Sequence, residues 1–158
     1  MANKEKVTIT WSNRLVKYSE IESSEISYLN KRGFFCIISG IYKPRKDIWG
    51  EITLLYIGQA FSRTLREKII NSYEKNDLVP KFIEEKEKRT ALIMGGKITD
   101  CSVKEISKPL YNNIVNCLIS ANKPIGNPSY QENFTSRILE ITNMGSFFPL
   151  KEKSIFIA

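Results

Sequence analysis

With 158 residues, 42% of them hydrophobic and 26% charged, the chain fits one folded core, which excludes a disordered or fibrous protein and argues against several domains. Lys and Arg outnumber Asp and Glu by 24 to 17 and no histidine titrates near neutrality, so the formal charge of +7 is permissive for a polyanionic partner and equally serves solubility. The cysteines, Cys36, Cys101 and Cys117, are isolated and odd in number; they read as structural thiols, and without histidine a zinc site has almost no ligands.

From the start of the chain, Met1 to Lys6 is polar, and nowhere does an apolar run approach the roughly 18 residues of a membrane span. The expectation is a cytoplasmic, reducing setting and no membrane partner. Val7 to Trp11 alternates in the pattern of a half-buried strand. Ser19 to Asn30 predicts a polar loop or a weak helix. Gly33-Phe34-Phe35-Cys36-Ile37-Ile38 is a continuous apolar run and predicts a central strand buried on both faces. Lys43-Pro44-Arg45-Lys46-Asp47 then forms a basic connecting loop, and Glu51 to Gly58 returns antiparallel as a second buried strand.

Beyond Gly58, Ser62 is the expected N-cap of a helix with Leu65 and Ile69 one turn apart. Leu78 to Lys88 predicts a further amphipathic helix with Pro80 near its start, and the charge run from Glu84 to Arg89 reads as its solvated face. Ala91 to Met94 predicts a third core strand closed by Gly95-Gly96. Ser107 is placed to cap a helix with Pro109 in its first turn and a broad stripe of Leu110, Ile114, Val115, Leu118 and Ile119. That helix stops at Lys123-Pro124-Ile125-Gly126-Asn127, and Ile138 to Thr142 and Ser154 to Ile157 suggest short terminal strands. The fold class is α/β of the α+β type, a small, mostly antiparallel central sheet flanked by helices. One domain spans 1–158, with an N-terminal extension of one strand (1–32), a core (33–127) and a C-terminal extension (128–158).

Gly33-Phe34-Phe35 and Tyr56-Ile57-Gly58, on paired strands followed by a helix with Arg66 eight residues after Gly58, resemble the signature of the GIY-YIG nuclease family. Lys123 to Asn127 is similar to the turn after that family's later helix. Asn127-Pro128-Ser129-Tyr130 onward resembles a bacterial subgroup with a longer loop between the signature strands. Gly40-Ile41-Tyr42, a second literal match, lies too late to precede a whole strand and reads as the entrance to the loop.

The resemblance implies metal-assisted phosphodiester hydrolysis: a glutamate on the later helix holds Mg or Mn, tyrosines orient water, and the arginine stabilises charge on phosphorus. It assigns Tyr56 and Arg66 as catalytic. Arg66 and Asn127, extended by Arg63 and Lys68, become the nucleic-acid contacts, with DNA the first expectation. The set is incomplete, however. Phe35 stands in place of the first tyrosine and has no hydroxyl, and Val115 stands in place of the metal glutamate on a helix, Pro109 to Ala121, without Asp or Glu. No metal and no cofactor are therefore expected, and loss of one such electrostatic group lowers a rate by about a hundredfold or more.

The expectation is a nucleic-acid-binding protein with weak or lost cleavage. The alternatives are an active nuclease recruiting Glu105, Asp100 or Glu140, and a protein-interaction module on the same scaffold. Apart from the resemblance, Arg66 is an arginine on an amphipathic helix, Tyr56 an aromatic beside Phe35, and Asn127 a turn residue.

Overall fold

The computed structural model describes residues 4–85, 88–127 and 138–156. The apolar run at Gly33 opens strand β3 (Gly33–Lys43), in which every residue from Gly33 to Gly40 is buried. Such a strand needs partners on both edges and cover on both faces. The first partner is β4 (Ile48–Ala60), antiparallel through a tight turn at 44–47 in which Asp47 takes a positive φ of 51°. Gly40-Ile41-Tyr42 is not a loop entrance: Ile41 pairs with Gly50 and Tyr42 with Trp49, so the strand runs on to Lys43.

On the other edge of β3 lies β5 (Thr90–Cys101), also antiparallel. Gly95 and Gly96 do not close it; they pair with Phe35 and Phe34 in mid-strand. The reason is packing, because a Cβ on Gly95 would meet the Tyr28 ring at 2.3 Å and one on Gly96 the Trp11 ring at 2.8 Å. The glycines make room for aromatic rings.

Strand β1 (Lys4–Trp11) lies antiparallel to β5 and parallel to β6 (Ile138–Gly145), which pairs with β7 (Lys153–Phe156). A two-residue β2 (Val16–Lys17) also joins β5, and the sheet runs β4-β3-β5-β1-β6-β7. The expected α/β class with a mostly antiparallel sheet is thus what the chain adopts. The segment read as an N-terminal extension supplies an inner strand of that sheet.

Helix α1 (Leu65–Lys75) is capped not by Ser62 but by Thr64, whose Oγ accepts from the Glu67 amide at 3.3 Å while its hydroxyl donates to the Glu67 carboxylate. The sequence carries the Thr-x-x-Glu pattern of a capping box, with the carboxylate meeting the Thr64 hydroxyl rather than its amide. Asn76 Oδ1 accepts from the amides of Leu78 and Val79 at 2.9 Å and opens α2 (Leu78–Glu85). Ser107 caps α3 (Lys108–Asn122) as expected, accepting from Leu110.

Two cores result. Leu110, Ile114, Cys117 and Leu118 of α3 pack on Phe34, Cys36, Ile57, Met94 and Trp11. Leu65, Ile69 and Val79 of α1 and α2, with Val16, Ile21 and Leu29, pack on Phe35, Ile37, Leu55 and Ile93. The Ser19 to Asn30 stretch forms short 3-10 turns at Tyr18–Glu20 and Ser27–Asn30 within this second layer. Pro128 to Tyr130, Ile157 and the centre of the Glu84 to Arg89 charge run lie outside the described residues.

The far side of the sheet is fixed by one buried amide. Asn143, 1% exposed, accepts from the Trp11 indole N–H at 2.9 Å and donates to the Lys151 carbonyl at 2.8 Å. Asn143→Leu leaves both groups without a partner and should lower unfolding free energy by about 2–4 kcal/mol. Chemical denaturation of Asn143→Leu, Trp11→Phe and the double variant checks it. The double variant should be less destabilised than the sum of the singles.

Candidate nucleic-acid interface

β3 begins where β4 ends, with Gly33 opposite Ala60, and at the same level β5 contributes Gly96 and β1 contributes Trp11. Everything attached to these strand ends is gathered at one end of the sheet: Lys31-Arg32 before β3, the 61–64 segment after β4, and Lys97 on β5. The Leu65 amide donates to the Lys31 carbonyl at 2.9 Å, which ties the approach to β3 onto the first turn of α1.

Two grooves open here. The first, about 250 Å³, is walled by Gln59, Ser62 and Arg63 at the end of β4, Lys68 and Asn71 on α1, and Lys108 on α3. Gln59 Nε2 donates to Asn112 Oδ1 at 2.9 Å, pinning the first turns of α3 against the end of β4 and holding Lys108 opposite Arg63 and Lys68. The second, about 300 Å³, is bordered by Lys31, Arg32 and Lys97 around Tyr28, Trp11 and the Gly95-Gly96 backbone. Arg32 stands between them, its guanidinium 4.7 Å from the centroid of Phe61, which lines the first groove and meets Tyr111 edge-on at 5.0 Å.

Among the described residues, no Asp or Glu lines either groove. Among the described residues the ion pairs are Lys4–Glu140 and Lys81–Glu85, so none of the groove cations is neutralised by a salt bridge. The Tyr28 phenol is pushed up to about 12 by burial, with Arg14 opposing, and burial likewise raises Tyr111. Both rings stay neutral near pH 7 and bring no anion to the surface.

Of the residues singled out from the sequence, Arg63 and Lys68 come together in the first groove. Arg66 does not line it. Its Nη1 donates to the Ile21 carbonyl, and its Nη2 donates to the Ser24 carbonyl at 2.7 Å and the Asn30 side chain at 3.2 Å. The guanidinium fork therefore fastens the 18–30 segment to α1. Asn127 is equally engaged, accepting from the Ile57 amide at 2.8 Å and donating to the Ile57 carbonyl at 3.0 Å, which completes the free edge of β4. Tyr56, half-buried, stacks over Phe35 with ring centroids 5.8 Å apart.

The donor set does not fit a divalent metal. Val115 packs against the α3-side core, α3 carries no carboxylate, and no three His, Cys, Asp or Glu side chains cluster among the described residues. Glu140 is bonded to Lys4 on the far strands, a contact that holds its carboxyl below the usual range. Asp100 sits opposite Thr8 at the distant end of β5, Glu105 is exposed before α3, and none of the three lines a groove.

Lys31, Arg32, Lys97 and Lys108 carry the surface and were not singled out from the sequence. The signal for Lys31-Arg32 and Lys108 was local: a basic pair directly before a buried strand, and a lysine directly after a helix cap. No family model, curated protein or solved structure matches the chain.

Arg66→Ala should lower unfolding free energy by roughly 2–4 kcal/mol, since the Ile21 and Ser24 carbonyls lose a charged donor. Hydrogen exchange in 18–30 should accelerate. Oligonucleotide affinity measured alongside should fall less than in Arg63→Ala; unchanged stability with lost affinity would identify Arg66 as a direct phosphate contact instead.

Proposed function

We propose that the chain is a nucleic-acid-binding protein on a GIY-YIG-like scaffold, gripping phosphates through Arg63, Lys68 and Lys108, with cleavage weak or lost. The observation that carries the reading is the first groove: cations from three separate elements converge on one polar concavity that has, among the described residues, no Asp or Glu in its lining. A phosphate oxygen accepts from each of these side chains, and Ser62, Asn71 and Gln59 offer uncharged donors between them. The overall charge of +7 favours the encounter.

The GIY-YIG part of the proposal is supported by the antiparallel pairing of the Gly33 and Tyr56 segments, which leads directly into the helix bearing Arg66. The loss of cleavage is supported by chemistry. A divalent ion needs hard oxygen ligands, and an isopropyl group at 115 offers none. Phe35 offers no hydroxyl to order water, and the Arg66 donors are directed at the protein's own carbonyls. Binding survives such losses, because it requires only that cations be held in place.

Fluorescence anisotropy with a labelled DNA oligonucleotide tests this. Affinity should fall steeply with salt, with a log–log slope of about −2 to −3 for roughly three neutralised phosphates. Arg63→Ala, Lys68→Ala and Lys108→Ala should each reduce the steepness by about one. Binding indifferent to salt contradicts the reading. Incubation with Mn²⁺ or Mg²⁺ should leave the DNA intact, and cleavage abolished by Arg66→Ala would overturn the catalytic half of it.

A further inference from the structure

The second groove differs from the first in chemistry. Its walls are aromatic and aliphatic as well as cationic: Tyr28, Leu65 and the buried edge of Trp11 lie at its base, while Lys31, Arg32 and Lys97 stand exposed at the rim. The Tyr28 and Trp11 rings take the space that a Cβ on Gly95 or Gly96 would fill, so the Gly95-Gly96 backbone is buried against them and half-exposed Tyr28 is the aromatic surface that the groove offers. The result is a neutral, partly aromatic groove of about 300 Å³, bordered by positive charge and, among the described residues, without an acidic lining.

A planar, uncharged ring that carries an anion on its flank matches this combination: the ring lies against Tyr28, and the anion meets the rim. A nucleobase with its phosphate has that form. Arg32, stacked on Phe61, leads from this rim to the first groove. We propose that the surface binds single-stranded nucleic acid, with one unpaired base stacked on Tyr28 and the adjoining phosphates passing Arg32 to Arg63, Lys68 and Lys108. The proposal rests on the phosphate reading of the first groove and adds the strandedness of the ligand. A duplex keeps its bases stacked inside and could reach the cations only, whereas an unpaired base can enter the concavity.

The test compares three ligands on the full chain at one salt concentration: a labelled ten-residue thymidine oligonucleotide, an abasic strand of equal length and charge, and a ten-base-pair duplex. The thymidine strand should bind about fivefold to a hundredfold more tightly than the abasic one, the range expected for stacking of one base. Tyr28→Leu, which keeps an apolar cover over Gly95, should shrink that ratio to under twofold while abasic binding stays unchanged. Lys97→Glu, at an exposed position, should weaken the thymidine and abasic strands alike. A measurement independent of variants is photocrosslinking of a 5-iodouracil oligonucleotide to the unaltered chain, which should label Tyr28. Equal affinity for base-bearing and abasic strands, tighter binding of the duplex, or crosslinks confined to Tyr42 and Trp49 would overturn the base site and leave the phosphate groove standing. Failure of every ligand to bind would overturn both.

Discussion

Strand β3 is apolar on both faces, and the rest of the architecture follows from covering it. Phe34, Cys36 and Ile38 look one way and Phe35 and Ile37 the other, all of them 2% exposed or less. One face takes α3, and the other takes α1, α2 and the chain between β2 and β3. Because both edges of β3 are also occupied, by β4 and β5, its position is fixed in three directions. The approach of β5 is especially close at the start of the strand, where a Cβ on Gly33 would lie 2.5 Å from the Gly96 carbonyl oxygen. That contact brings Lys31 and Arg32 beside Lys97.

The outer edge of β4 is closed by a device that also positions α3. The helix ends at Lys123, which takes the left-handed conformation with φ 49°, and the chain turns back along β4. Ile125 and Gly126 donate to the Leu54 and Leu55 carbonyls, at 3.4 and 2.6 Å, and the Asn127 side chain then mimics one more strand residue by bonding both polar groups of Ile57. An exposed edge strand presents unpaired backbone groups that invite association with another chain. Here a three-residue turn covers part of that edge and anchors the C-terminus of α3, while Gln59 and Asn112 anchor its beginning. Lys108 thereby keeps a fixed place in the groove.

What could be read in the sequence divides along the same physical line. Continuous apolar runs specified β3 and the first half of β5, where burial on both faces leaves few polar residues to confuse the pattern, whereas β4, expected to be equally buried, is the outer strand of the sheet and buries only Leu55, Ile57, Gly58 and Ala60. Gly95-Gly96 misled, since a glycine pair that ends a strand and one that admits aromatic rings look identical until Tyr28 and Trp11 are placed. Thr64 was masked by Ser62, although Glu67 three residues later completes the capping-box pattern and could have decided between them. The candidate site was less legible. Arg63 and Lys68 reach their groove through local helix geometry, but their counterpart Lys108 is distant in sequence and joins them only through the packing of α3 on the sheet. Arg66 shows the converse: its place in a motif suggested chemistry, and its hydrogen bonds fasten the 18–30 segment, adding polar ties to the apolar contacts of Ile21 and Leu29.

Hydrolysis and binding make unequal demands on a scaffold. Metal-assisted hydrolysis needs a carboxylate, a nucleophile and an arginine held together to within a fraction of an ångström, so in the proposed reading the valine at 115 removes the centre on which the others depend. Binding of a polyanion needs cations spaced along a surface, each contributing separately and each able to move on a flexible stem. Here the spacing is set by contacts that involve none of Phe35, Arg66 and Val115: the Gly33–Gly96 approach, the Lys31–Leu65 backbone hydrogen bond and the Gln59–Asn112 side-chain bridge. Like charges gathered without counterions repel one another, which costs stability in the free protein and is relieved when an anion arrives. In the proposed reading, that relief is the driving force the scaffold retains once the chemistry is gone.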